Sequence, residues 1–117
     1  MIEATCHCGA VMYEVPRAPE TLTSCNCSIC RRLGSLMAYY SPKEVTVSGD
    51  TDTYIWGDRM IVFHRCKVCG CFTHWSPVDP STDRMGVNAR LMAPEILAAA
   101  RVRKFDGADT WEFLDKD

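Results

Sequence analysis

RMIVFHRCKVCGCFTHWS, residues 59–76, is the stretch whose reading decides the fold. Residues 59–66 make a buried-strand candidate, and CFTHWS (71–76) reads as a second strand. Between them stands CKVCG. Cys66 and Cys69 carry metal-ligand spacing there, and Gly70 lets the backbone turn so that both sulfurs face one point. A strand, a metal-bearing turn and a strand form the unit from which the rest of the chain is read.

A tetrahedral structural zinc site commonly joins two short-spaced pairs from distant parts of a chain. The partner pair is the CHC near the start, Cys6 and Cys8, with Gly9 able to turn the chain as Gly70 does. A structural zinc on Cys6, Cys8, Cys66 and Cys69 is therefore expected. The rival assignment swaps one of these with a cysteine of the central trio, which spacing alone leaves open. In a chain this small, metal-binding free energy becomes folding free energy, because the site does not exist in the unfolded chain.

The trio is Cys25, Cys27 and Cys30 in SCNCSICRR, residues 24–32. Three thiols cannot close on themselves as disulfides, and three protein ligands with a replaceable fourth are the pattern of a catalytic or substrate-binding zinc. The alternative is a closed shell, completed by Cys71 or by a histidine among His7, His64 and His74.

Working outward, VMYEV (11–15), LMAYY (36–40), VTVSG (45–49), TYIW (53–56) and MGVNARLM (85–92) read as further strands, with PVDPSTDR (77–84) a loop. Their spacing of about eight to twelve residues belongs to a mostly β protein. Helical signals are confined to a turn or two after Cys27, with Ser28 as N-cap, and to PEILAAARV (94–102), where Pro94 suits a helix start. A chain of 117 residues predicts a single domain, 1–117. A net charge of −2 offers no electrostatic footprint for nucleic acid or an anionic membrane. The apolar runs are too short to span a bilayer, and MIEATCHCGA lacks the basic and apolar regions of a secretory signal, so a cytoplasmic protein is expected. In that reducing compartment eight clustered cysteines are metal ligands or redox centres rather than bridges.

In order, CHCGAVMYEV, CNCSICRRLGS, HRCKVCGCFTHW and VNARLM before a proline resemble the family of glutathione-dependent formaldehyde-activating enzymes, the GFA domain, which includes a centromere-protein-V-like branch. The resemblance covers essentially the whole chain. It implies a β-tent of several short antiparallel sheets stapled by zinc, with one or two short helices. It also implies two zincs per chain: a structural one on Cys6, Cys8, Cys66 and Cys69, and an exposed one on Cys25, Cys27 and Cys30 beside a glutathione-binding region. Asn88 and Arg90 match the family's NxR motif, with the role of a buried hydrogen-bonding pair that braces the zinc strands. Cys71 stands where the family commonly has a small or hydroxylated residue, which makes it a candidate fourth ligand or a free thiol.

The chemistry expected of the trio is carbon–sulfur bond formation and cleavage. A thiolate, not a thiol, adds to an electrophilic carbonyl such as formaldehyde. Zinc on three thiolates carries a formal negative charge and is a weaker Lewis acid than a histidine-ligated one, so capture of a substrate thiol is favoured over carbonyl activation. Glutathione or a similar small thiol and a small aldehyde are the partners implied. Arg31 and Arg32 follow Cys30 and are the candidates to grip glutathione carboxylates. Tyr39, Tyr40, Trp56 and Trp75 either wall a pocket or fill a core. Two other roles are a non-catalytic thiol or metal carrier and a structural interaction module with two closed zincs.

Overall fold

The computed structural model describes residues 1–115 and is mostly β, with two short helices among the described residues. Three strands, β1 (Ile2–Thr5), β2 (Met12–Val15) and β5 (Thr46–Ser48), form a small antiparallel sheet in the order β1-β2-β5. Seven more form the second sheet, in the order β10-β3-β4-β9-β8-β7-β6. They are β3 (Thr21–Cys25), β4 (Met37–Tyr40), β6 (Thr51–Tyr54), β7 (Ile61–Cys66), β8 (Phe72–Pro77), β9 (Met85–Asn88) and β10 (Arg101–Phe105). All its pairs are antiparallel except β10 with β3, which run parallel from Arg101↔Thr21 to Phe105↔Cys25. Helices α1 (Ser28–Leu33) and α2 (Pro94–Ala99) complete the elements.

The main core lies between the sheets. Tyr13 and Val15 of β2 pack on Leu22 of β3, Ala38 of β4 and Val87 of β9, and the half-buried Ile96 and Leu97 of α2 close the side. Side chains alternate faces along a strand, so Met37 in β4 belongs to a second cluster with Phe63 and Phe72, on which Ile29 of α1 rests. Asn88, buried where β9 ends, ties the layers together. Its Nδ2 donates to Phe72 O (2.9 Å), its Oδ1 accepts from Leu36 N (3.4 Å) and Arg90 N (3.2 Å), and its carbonyl accepts from Tyr13 Oη (2.9 Å).

Several elements differ from their sequence expectations. The helix from Pro94 ends at Ala99 rather than running to residue 102, because RVRKF (101–105) finds a parallel partner in β3 that takes up its backbone hydrogen bonds. The N-cap of α1 is Cys27, whose Sγ accepts from Cys30 N, rather than Ser28. The strand begun at Met85 stops at Asn88, where the side chain caps a single 3-10 turn over Ala89–Leu91. The strand expected over 53–56 pairs instead over Thr51–Tyr54, in register with Cys66–Phe63 of β7. No helix among the described residues is long and apolar enough to cross a membrane.

Candidate metal centre

The turn from β1 into β2 and the turn from β7 into β8 meet. In the first, Gly9 N donates to Cys6 O (3.1 Å) and Cys6 N to Val11 O (3.0 Å); in the second, Gly70 N donates to Cys66 O (3.0 Å) and Cys66 N to Cys71 O (3.0 Å). Both loops close the same way, through glycines at φ 84° and 78°, a left-handed conformation that glycine adopts without steric cost. The sulfurs of Cys6, Cys8, Cys66 and Cys69 thus converge, all within 4.8 Å of one another, from two different sheets. Cys8 and Cys66, 58 residues apart in sequence, have sulfurs 3.6 Å apart. Cys6 and Cys66 are each only 2% exposed.

Backbone N–H groups point at these sulfurs: Val11 N at Cys6 (3.3 Å), Ala10 N at Cys8 (3.4 Å) and Val68 N at Cys66 (3.4 Å). The N–H groups of Cys71 and Cys8 donate to Cys69 and hold its thiol down at about 5. Amides aimed at sulfur favour the thiolate, the form that binds a metal. Four convergent thiols with amide support are a donor set that fits a closed tetrahedral site. Cys71 is not part of this convergent four. Its sulfur lies beside that of Cys69 and accepts from the His7 N–H, which places a fifth thiol at the rim.

The second group comes from one short stretch. Cys25 ends β3, Cys27 caps α1 and Cys30 lies in its first turn, and the three half-buried sulfurs fall within 4.8 Å of one another. Cys27 N points at the Cys25 sulfur (3.5 Å) and Cys30 N at the Cys27 sulfur (3.4 Å). Burial opposes ionisation of Cys27, but the Cys30 N–H and the Cys30 and Cys25 thiols outweigh it and lower the thiol. Cys30 is pushed well up, by burial first and by the Cys27 thiol second, against a smaller opposing effect of the Ser35 hydroxyl. Cys27 is therefore the most readily ionised thiol of the trio.

Residues 106–110 fold over the trio. Asn26 Nδ2 donates to Asp106 (3.0 Å), Ala108 N donates back to Asn26 Oδ1 (3.0 Å), and the Gly107 N–H reaches the Cys25 sulfur. A Cβ on Gly107 would lie 2.5 Å from that sulfur, so any larger residue must push the sulfur or the loop aside. The open side faces a cavity of about 260 Å³ whose wall includes Cys25, Cys30, Arg31, Ser35, Arg90 and Lys104. Among its described lining residues three are cationic and none is acidic, a wall that suits an anion.

The candidate arginines part company here. Arg31 lines the cavity, whereas Arg32 turns back along its helix to donate to Ser28 O (2.8 Å). Of the NxR pair, Asn88 is the buried brace; Arg90 is exposed, donates from Nε to Gly34 O and lies on the cavity wall. The aromatics divide too: Tyr40 is buried in the main core, Tyr39 and Trp75 pack by the second cluster with ring centroids 6.2 Å apart, and Trp56 is exposed. The histidines stay apart from the trio. His64 and His74 stack on each other across β7 and β8 (4.2 Å between ring centroids), and His7 lies in the β1–β2 turn. Lys104 and Ser35 escaped the sequence reading. Lys104 lies in a strand, Arg101–Phe105, of which only the first two residues fall in the expected helix and the rest in no expected element, and Ser35 lies in the short link between α1 and β4, where nothing in the sequence marks it.

Comparison with known proteins bears on both groups at once. A family model described as glutathione-dependent formaldehyde-activating enzyme matches residues 1–105. A Halomonas elongata protein, provisionally named a glutathione-dependent formaldehyde-activating enzyme, is 38% identical over 56 residues, 47% of this chain and 33% of that protein. The chain thus spans about a third of the length of this curated relative. A Rhodobacter sphaeroides protein, solved by crystallography as a structural genomics target, superposes with a TM-score of 0.71 at 30% identity, over 86% of this chain and 99% of its own. Since the matched stretch takes in both cysteine groups and every strand, the chain belongs to the glutathione-dependent formaldehyde-activating enzyme family.

Proposed function

We propose that the protein is a zinc-dependent carbon–sulfur lyase. It forms or cleaves the S-hydroxymethyl adduct of glutathione, or of a closely similar thiol, with formaldehyde or a related aldehyde. The observation that carries this is the opening of the Cys25/Cys27/Cys30 group onto a cavity walled by Arg31, Arg90 and Lys104.

Cys25, Cys27 and Cys30 would hold one zinc and leave one tetrahedral position for an incoming group, while Cys6, Cys8, Cys66 and Cys69 would hold a structural zinc. Bound at the trio, zinc supplies a position at which a thiol is deprotonated at neutral pH. The protein's own groups do the rest. Guanidinium and ammonium groups match the two carboxylates of glutathione, and the bond from Arg90 to Gly34 O keeps its guanidinium at the wall. The Asn26 and Asp106 clasp keeps Gly107 over Cys25 and closes that side of the group. In the addition, the sulfur lone pair forms the C–S bond, the carbonyl π pair moves to oxygen, and that oxygen takes up a proton from solvent. Cleavage is the reverse.

The test is zinc content and zinc-edge absorption on freshly reduced protein, with and without glutathione, alongside NMR exchange between formaldehyde hydrate and its glutathione adduct. The expected result is two zincs per chain, sulfur coordination that rises with glutathione, and exchange faster than the uncatalysed reaction. Arg31→Ala should weaken glutathione binding about tenfold, the scale of one charge-assisted contact, and Arg32→Ala less than about twofold. Zinc already saturated by the protein and blind to glutathione, or exchange that survives Cys27→Ser, would remove the lyase assignment.

A further inference from the structure

Ser35 is 4% exposed, and its Oγ is the one buried side-chain N or O atom among the described residues without a hydrogen-bond partner. A buried hydroxyl left unpaired carries a desolvation penalty that folded proteins rarely leave standing. Alanine would fit the ligand-free protein better. The backbone that carries it is held in place. Gly34, in the left-handed conformation that ends α1, donates its N–H to Cys30 O (2.9 Å) on one side. On the other, Leu36 N donates to Asn88 Oδ1 (3.4 Å), and Leu36 O accepts from Ala89 N (2.7 Å). Ser35 is thus clamped by backbone on both flanks, and it lines the cavity together with Cys25 and Cys30. It stands near enough to the Cys30 sulfur to favour its thiolate, without hydrogen-bonding geometry toward it.

A donor with no partner in the chain, buried beside a cavity, points to a partner in the ligand, reached when the Ser35 side chain turns toward that cavity. Arg31, Arg90 and Lys104 are suited to carboxylates. A neutral hydroxyl is suited to a carbonyl or alcohol oxygen. In an S-hydroxymethyl adduct the oxygen is one carbon away from sulfur, so a sulfur seated at the trio carries its oxygen into the neighbourhood of Ser35. We propose that Ser35 Oγ–H donates a hydrogen bond to the substrate oxygen, as aldehyde carbonyl and as hydroxymethyl group, and so selects carbon bearing oxygen next to sulfur. This rests on the lyase assignment above. As the C–S bond forms, the π pair collects on that oxygen. A donor already held at the cavity wall stabilises this growing charge without the reorganisation that water would need. Ser35 only donates; the proton that completes the hydroxymethyl group comes from solvent.

The experiment compares wild type, Ser35→Ala and Ser35→Thr, each loaded with zinc or, for spectroscopy, with cobalt. Glutathione affinity is measured with and without formaldehyde, together with adduct exchange by NMR, the cobalt–thiolate charge-transfer band and the melting temperature. Ser35→Ala is expected to melt at the wild-type temperature or above, to keep the cobalt band, and to bind glutathione within about twofold of wild type. It should lose the tightening that formaldehyde confers on wild type, and exchange should slow at least about tenfold. Ser35→Thr, which keeps the hydroxyl, should recover both. Equal tightening and equal exchange in Ser35→Ala would overturn the proposal. So would a shifted cobalt band and weaker metal binding with exchange per bound metal unchanged, since Ser35 would then serve only Cys30. Wild-type protein that neither binds glutathione nor speeds exchange would instead remove the lyase assignment, and the substrate of Ser35 with it.

Discussion

The two cysteine groups share one side chain and one local device, amide N–H groups aimed at sulfur, yet their surroundings differ. The four-thiol group draws a pair from each sheet and seals Cys6 and Cys66 away from water. The three-thiol group draws all its sulfurs from residues 25–30, at the end of one strand and the start of one helix, and faces a cavity. A metal in the first group closes a long loop that the unfolded chain leaves open, so its binding energy is folding energy. A metal in the second orders a few residues that β3 and α1 already hold, and its binding energy is free to serve a ligand. On the proposed function, thiol number and sequence separation together separate a staple from a working site.

The sharpest way to break this contrast is to remove one sulfur from each group. Cys66→Ser should abolish the cooperative fold, since structural zinc sites are worth about 10 kcal/mol or more of linked folding free energy. Cys27→Ser should melt cooperatively with one zinc fewer. Circular dichroism and metal analysis on both proteins check this, and equal damage would erase the distinction.

Acid probes the strands that leave the four-thiol turn. His74 is 5% exposed, and burial, aided by the neighbouring His64, holds its imidazole down at about 4. The unfolded chain then binds more protons than the folded one between about pH 6.5 and 4, so stability is fully present above pH 6.5 and falls as the pH drops through this window. The loss amounts to roughly 3 kcal/mol at the acid end. Urea titrations of wild type and His74→Gln across the window should converge as the pH falls, which isolates this effect from acid release of metal. A constant difference would contradict it.

Asn88 bridges the two regions, with Phe72 O on the strand leaving the four-thiol turn and Leu36 N on the residue after Ser35. Asn88→Ala strands these buried groups and should cost about 2 kcal/mol in urea unfolding. It should also loosen zinc at the trio, because the clamp on Ser35 and Gly34 slackens. The smallest effect is expected from Gly107→Ala, whose Cβ meets the Cys25 sulfur. Chelator competition should show the trio's zinc weakened about tenfold, with the four-thiol zinc and the melting temperature unchanged.

Strands with clear alternation or apolar runs were legible in the sequence, and β2, β4, β7 and β8 lie where VMYEV, LMAYY, RMIVFHRC and CFTHWS suggest. β1 (IEAT) and β3 (TLTSC) are short and carry polar residues, and β10 follows an alanine-rich run that reads as helix, so these went unseen. The Cys27 cap of α1 escaped because a thiol is seldom weighed as an N-cap acceptor beside an adjacent serine.

Sequence by itself determined the ligand chemistry: eight thiols, their division into CxC, CxCxxC and CxxCxC, and the glycines that let the first and last of these turns close. These are local properties, set by bond geometry over two to five residues. Tertiary structure decided what surrounds them. Lys104 reaches the cavity because β10 pairs parallel with β3, Arg90 because Asn88 starts a turn beneath it, and Ser35 because a helix cap and a buried amide pin it from both sides. Each of these depends on pairings between residues far apart in the chain, which spacing along a sequence does not record.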